Sequence, residues 1–88
     1  MADLKENFEQ AQLDVKKLTK RPSNEELLAL YSLYKQATDG DVHGKRPGMF
    51  DFKGAAKYEA WEGLKGMDAE TAMQQYVDKV TELTAAYA

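Results

Sequence analysis

The sequence predicts an all-α fold, an antiparallel four-helix bundle, and three observations carry that reading. Apolar residues recur at intervals of three and four in four separate segments, small capping residues stand where three of those segments begin, and no stretch has the spacing of a strand. The 88 residues suit one domain, spanning 1–88, and a chain this short has room for a groove but not for a deep enclosed site.

The first helix opens at Asp3, an N-cap with Glu6 three places on, and sets Leu4, Phe8, Ala11, Val15 and Leu18 on one stripe. Lys20-Arg21-Pro22 interrupts it. Ser23 with Glu26 then forms a capping box, opening a second helix that carries Leu27, Leu28, Leu30, Tyr31, Leu33, Tyr34 and Ala37 and stops at Asp39-Gly40. So wide an apolar arc predicts burial on two sides, or burial on one and a ligand-lining face on the other. From Gly40 to about Phe50 no period is sustained. A connection of that length can cross the bundle, so the second and third helices need not be antiparallel neighbours. The third helix, from about Asp51, carries Phe52, Ala55, Ala56, Tyr58, Ala60, Trp61 and Leu64. Gly54 and Gly63 weaken it, each by about 1 kcal/mol relative to Ala, so it should be short and held by tertiary packing. Asp68 caps the last helix, with Met73, Tyr76, Val77, Val80, Leu83 and Tyr87 on its inner face.

Composition excludes several classes of function. With no cysteine, disulfide frameworks, zinc fingers and thiol nucleophiles are ruled out together, and a reducing compartment fits. The first eight residues mix charge with isolated apolar side chains, unlike a secretory signal, and no run approaches the length of a membrane span, so a cytoplasmic protein without stable membrane insertion is expected. The net charge of −3 argues against a nucleic-acid partner. It is unevenly spread: residues 16–57 hold nine basic side chains against five acidic, and the remainder three against ten. A locally cationic middle on an acidic protein suits a small anionic ligand.

Catalytic and metal motifs are lacking. Asp39-Gly40-Asp41-Val42-His43-Gly44 has the acidic and glycine positions of a calcium loop, but Phe50 stands where the bidentate glutamate is required and Lys45-Arg46 place positive charge beside it. His43, the sole histidine, reads as a solvated loop residue, and neither Ser23 nor Ser32 sits in a nucleophile motif. No enzyme, no metal and no cofactor are expected.

The informative cluster is Tyr31-Ser32-Leu33-Tyr34-Lys35. One helical turn puts Tyr31 and Lys35 on the same face with Tyr34 beside them, so a single surface offers two phenol rings and an ammonium. Rings stack on flat groups and lysines attract phosphate. Lys53 and Lys57 repeat the one-turn spacing on the third helix, Tyr76 is available from the fourth, and Leu28 on the second helix supplies apolar surface. A ligand combining a purine, phosphates and an apolar tail needs this conjunction. The competing reading is a helical interaction module whose aromatic face docks a partner helix.

Tyr31 to Asp41, YSLYKQATDGD, followed by Lys45 to Met67, KRPGMFDFKGAAKYEAWEGLKGM, resembles the acyl-coenzyme A binding protein family, and the resemblance runs from about Phe8 to Tyr87. It implies up-down-down-up topology and an intracellular carrier of long-chain fatty acyl-coenzyme A esters; a monomer is expected separately, since no large apolar remainder demands a dimer. By that resemblance Tyr34 stacks on the adenine, Tyr31, Lys35 and Lys57 hold the ribose 3′-phosphate, and Lys16, Lys53 and Tyr76 add contacts to the head group or the chain. Tyr58 stands where many members have Trp, Ala55 where many have Lys, and the tail from Thr84 to Ala88 lacks the Lys-rich ending common among them.

Overall fold

The computed structural model describes residues 3–87, which form four helices: α1 (Leu4–Val15), α2 (Asn24–Asp39), α3 (Phe52–Glu62) and α4 (Ala69–Tyr87). Each begins where a side chain can accept an orphan helical N–H. Asp3 accepts from the Glu6 N–H at 2.8 Å, Asp51 from Gly54 at 2.9 Å and Asp68 from Thr71 at 2.7 Å. Ser23 and Glu26 form the complete capping box, each side chain accepting from the other's backbone N–H.

Two helices end sooner than their apolar stripes. The N–H groups of Lys16 and Lys17 donate to the Leu13 and Asp14 carbonyls, a tighter turn that closes α1 at Val15, and Leu64 donates to Trp61 in the same way beyond α3. Leu18 and Leu64 therefore reach the core from turns, where they still pack against it.

Paired contacts fix the topology. Tyr31 meets Lys57, and one turn further along both helices Lys35 meets Trp61, so α2 and α3 are neighbours but parallel. Phe8 meets Tyr76, and Thr19, following α1, meets Tyr87, so α1 and α4 also run the same way. Glu26 bonds Tyr87 while Gln36 bonds Met67, which makes α2 and α4 antiparallel. The order is up-down-down-up. Phe8 and Ala11 of α1, Leu30, Leu33 and Ala37 of α2, and Ala72, Tyr76, Val80 and Leu83 of α4 make the core. Helix α3 contributes only buried Trp61 and packs on α2 alone, leaving one flank of each open toward the other.

The long connection is pinned at its start and at its middle. The Trp61 indole N–H donates to the Gly40 carbonyl at 2.8 Å, and Gly40 takes a positive φ of 79° that favours glycine. The Asp41 carboxylate accepts from the Gln36 amide at 2.9 Å and the Gly66 N–H at 2.8 Å, and Gln36 also donates to the Met67 carbonyl at 2.7 Å. Arg46 pairs with Glu59 and lies over the Tyr58 ring. Helix α3 is thus held in place largely through the segment that precedes it.

Candidate functional site

Parallel packing of α2 and α3 opens a groove of about 510 Å³ between their N-terminal halves. Its lining is largely apolar, with Leu27 and Leu28 of α2 and Phe52 and Ala56 of α3; Tyr31, Lys53, Lys57, Arg21 and Asn24 complete it. A volume of this size lies in the range of small-molecule sites, and an apolar lining with a few polar groups is their usual make-up.

Of the residues singled out from the sequence, Leu28, Tyr31, Lys53 and Lys57 meet in this groove. The Lys57 ammonium lies 5.3 Å from the Tyr31 ring centre. Beyond it, one turn along α2, the Lys35 ammonium bonds the Asp39 carboxylate and lies 4.9 Å from the Trp61 ring centre. Tyr34 is 39% exposed; one face of its ring stacks on Phe8, with centroids 6.1 Å apart and planes 25° off parallel. The other two stand apart from the groove lining. Tyr76 is buried in the core, edge-on to Phe8 at 5.1 Å, and Lys16 is exposed at the C-terminal end of α1.

The family model described as Acyl CoA binding protein matches residues 5–80. The chain belongs to that family. It is 53% identical over 85 residues to the acyl-CoA-binding protein of Brassica napus, covering 97% of this chain and 92% of the relative. It is 51% identical over 83 residues to the acyl-CoA-binding protein homolog of Drosophila melanogaster, covering 94% and 96%. The crystal structure of Oryza sativa Acyl-CoA-Binding Protein 2 superposes with a TM-score of 0.90 at 43% identity, covering 96% of this chain and 93% of that one. Family membership and this superposition agree with the four-helix topology read from the residue contacts.

At the α2–α3 rim the Lys35–Asp39 pair sets the charge states of both groups. The hydrogen bond from Lys35 to Asp39 raises the lysine above its ordinary value and holds the Asp39 carboxyl below the usual carboxylate range. Lys35 therefore stays charged at neutral pH. Burial, assisted by nearby Tyr34, pushes the Tyr76 phenol up, so it remains a neutral hydroxyl. Asp39 and Asp41, the acidic positions of the would-be calcium loop, instead serve Lys35 and the Gln36–Gly66 junction.

Sequence reasoning missed Arg21, Asn24, Leu27, Phe52 and Ala56 as members of the groove lining. The signal for two of them, Leu27 and Asn24, was present. Stepping back along α2 from Tyr31 by three and four reaches Leu28, Leu27 and Asn24, the same face extended toward the N-terminus. Phe52 and Ala56 needed the register between α2 and α3, which no local pattern encodes.

Proposed function

We propose that this protein binds long-chain fatty acyl-coenzyme A esters in the α2–α3 groove and carries them without turnover. One observation bears most of the weight: apolar Leu27, Leu28, Phe52 and Ala56 line the same groove as Tyr31, Lys53 and Lys57. The family match supports the same ligand and favours it over a module that docks a partner helix.

In this reading the exposed face of Tyr34 stacks on the adenine, and Lys57, Lys35 and the Tyr31 hydroxyl hold the 3′-phosphate. Lys53 and Leu28 contact the head group and the chain. Lys16 adds long-range attraction, and Tyr76 acts mainly from below, backing the Phe8 ring on which Tyr34 rests. Each buried methylene contributes about 0.8 kcal/mol, so ten offer about 8 kcal/mol before the costs of ordering the chain. The head group supplies recognition, and the tail supplies most of the affinity. No groove-lining side chain is a serine, a histidine or a carboxylate, which suits a carrier that leaves the thioester intact. A monomer in the cytoplasm, without a cofactor and without nucleic acid, completes the proposal; among the described residues no helix is long and apolar enough to cross a membrane.

Calorimetry with esters of increasing chain length tests this. Affinity should climb steeply with each added pair of methylenes until the groove is filled, and equal affinity for short and long chains would refute it.

A further inference from the structure

Met49, Phe50 and Phe52 are 80%, 84% and 76% exposed, at the turn leading into α3. Two of the chain's three phenylalanines are therefore spent on the surface, within four consecutive positions. The turn that presents them is ordered: the Asp51 N–H donates to the Gly48 carbonyl at 3.0 Å, and the Asp51 carboxylate caps the helix that follows. Clustered bare apolar side chains of this size mark a contact surface.

Its surroundings indicate what kind. From residue 42 to residue 58 the cations are Lys45, Arg46, Lys53 and Lys57, and the sole acid is Asp51. Arg46 is engaged by Glu59 and Glu62, whereas Lys45, Lys53 and Lys57 form no ion pair among the described residues. An apolar tip flanked along the chain by lysines is the pattern of proteins that rest in the interface of an anionic bilayer. Because the whole chain carries −3, such a surface would repel most of the protein while attracting this end, which fixes the orientation of approach. Phe52 and Lys53 also line the groove, so tip and groove share a wall.

We propose that the Met49–Phe50–Phe52 tip docks on anionic phospholipid bilayers, with Met49 and Phe50 entering the boundary between headgroups and acyl chains, and that the ester passes between bilayer and groove while the protein is docked. The transfer step rests on the carrier reading above; the docking step does not.

The full chain is compared with the double variant Met49→Ser/Phe50→Ser, which leaves the groove lining intact. Flotation with phosphatidylcholine vesicles, with and without phosphatidylserine, measures docking. Stopped-flow transfer of a fluorescent long-chain acyl-coenzyme A ester from protein to vesicles measures passage, and calorimetry in vesicle-free buffer measures ester affinity. The unaltered protein should float with the phosphatidylserine vesicles, less so at high salt, and its transfer rate should rise with vesicle concentration. The variant should partition roughly tenfold more weakly and transfer more slowly, with unchanged ester affinity in buffer. Absence of flotation, flotation equal in the two proteins, or a transfer rate independent of vesicle concentration would overturn the proposal. So would a loss of ester affinity in the variant, which would assign the tip to the ligand groove. No ester binding by either protein in buffer would sink the carrier reading instead, and flotation would still judge the docking step.

Discussion

The Lys57 ammonium of α3 lies 5.3 Å from the centre of the Tyr31 ring of α2, closing the rim of the groove from the opposite wall. The pair is exposed on the lysine side, so its cation–π attraction contributes little to folding, about 0.5–1 kcal/mol. In the proposed complex its value would lie in holding a positive charge beside the Tyr31 ring, where the phosphate is expected.

Lys57→Ala should accordingly leave the thermal midpoint nearly unchanged and weaken binding of a long-chain acyl-coenzyme A ester by roughly tenfold to a hundredfold, the range for a charge-assisted hydrogen bond. Analogues lacking the 3′-phosphate should lose much less. Calorimetry with both ligands decides the matter, and equal losses would place Lys57 away from that phosphate.

Tyr34 presents one ring face to Phe8 and leaves 39% of its surface exposed. Tyr34→Phe should retain most of the affinity, whereas Tyr34→Ala should cost about 1–3 kcal/mol, as for a base stacked on an aromatic ring. A large loss on removing the hydroxyl alone would mean that hydrogen bonding, not stacking, is the role of this residue.

The caps at Asp3, Ser23 and Asp68 were legible in the sequence because a capping side chain and the backbone N–H that donates to it lie three residues apart. The ends of α1 and α3 were not, since Leu18 and Leu64 keep the helical rhythm while sitting in tight turns. Gly54 reads as a weak point of α3, yet a side-chain carbon there would run into the Asp51 carboxylate that caps the helix, so its bareness serves the cap. Tyr31, Lys53 and Lys57 were legible as candidates for one surface because each has a partner one turn away, and all three line the groove. Phe52 and Ala56 were not, because their role depends on how α3 lies along α2, a relationship set by Trp61, Gly40 and Asp41.

Leu83 is 1% exposed at the centre of the α1–α2–α4 core. Leu83→Ala should destabilise the fold by about 2–5 kcal/mol in chemical denaturation, through lost burial and the cavity left behind. Because the groove lies between α2 and α3, ester affinity at temperatures where the variant stays folded should be little altered.

Asp41 joins the long connection to the α3–α4 turn, and the Gly66 N–H, with help from the Gln36 amide, holds its carboxyl below the usual aspartate range. The unfolded chain therefore takes up a proton on this group before the folded protein does. The stability it contributes is present above the ordinary aspartate value, about 3.9, and disappears as pH falls through the lower folded value. Asp39, Asp68 and Glu26 are shifted the same way and add to the slope. Thermal midpoints should decline on acidification from about pH 5, and Asp41→Asn should flatten part of that decline. An unchanged slope in the variant would mean that Asp41 titrates alike in both states.

Asp39 competes with any phosphate for Lys35, because its carboxylate already bonds the ammonium on the same face of α2. Replacing it with asparagine removes one negative charge from the rim and frees a lysine donor, while residue 39 still ends the helix before Gly40. Asp39→Asn should therefore tighten binding of acyl-coenzyme A esters by about twofold to tenfold at low ionic strength, and the gain should shrink as salt screens the rim. The same substitution should lower the Lys35 titration point, since the hydrogen bond to Asp39 is the main cause of its elevation. Side-chain NMR of Lys35 across alkaline pH, set beside calorimetry at two salt concentrations, checks both halves. Weaker binding in the variant would mean that Asp39 positions Lys35 for the ligand and does not compete with it.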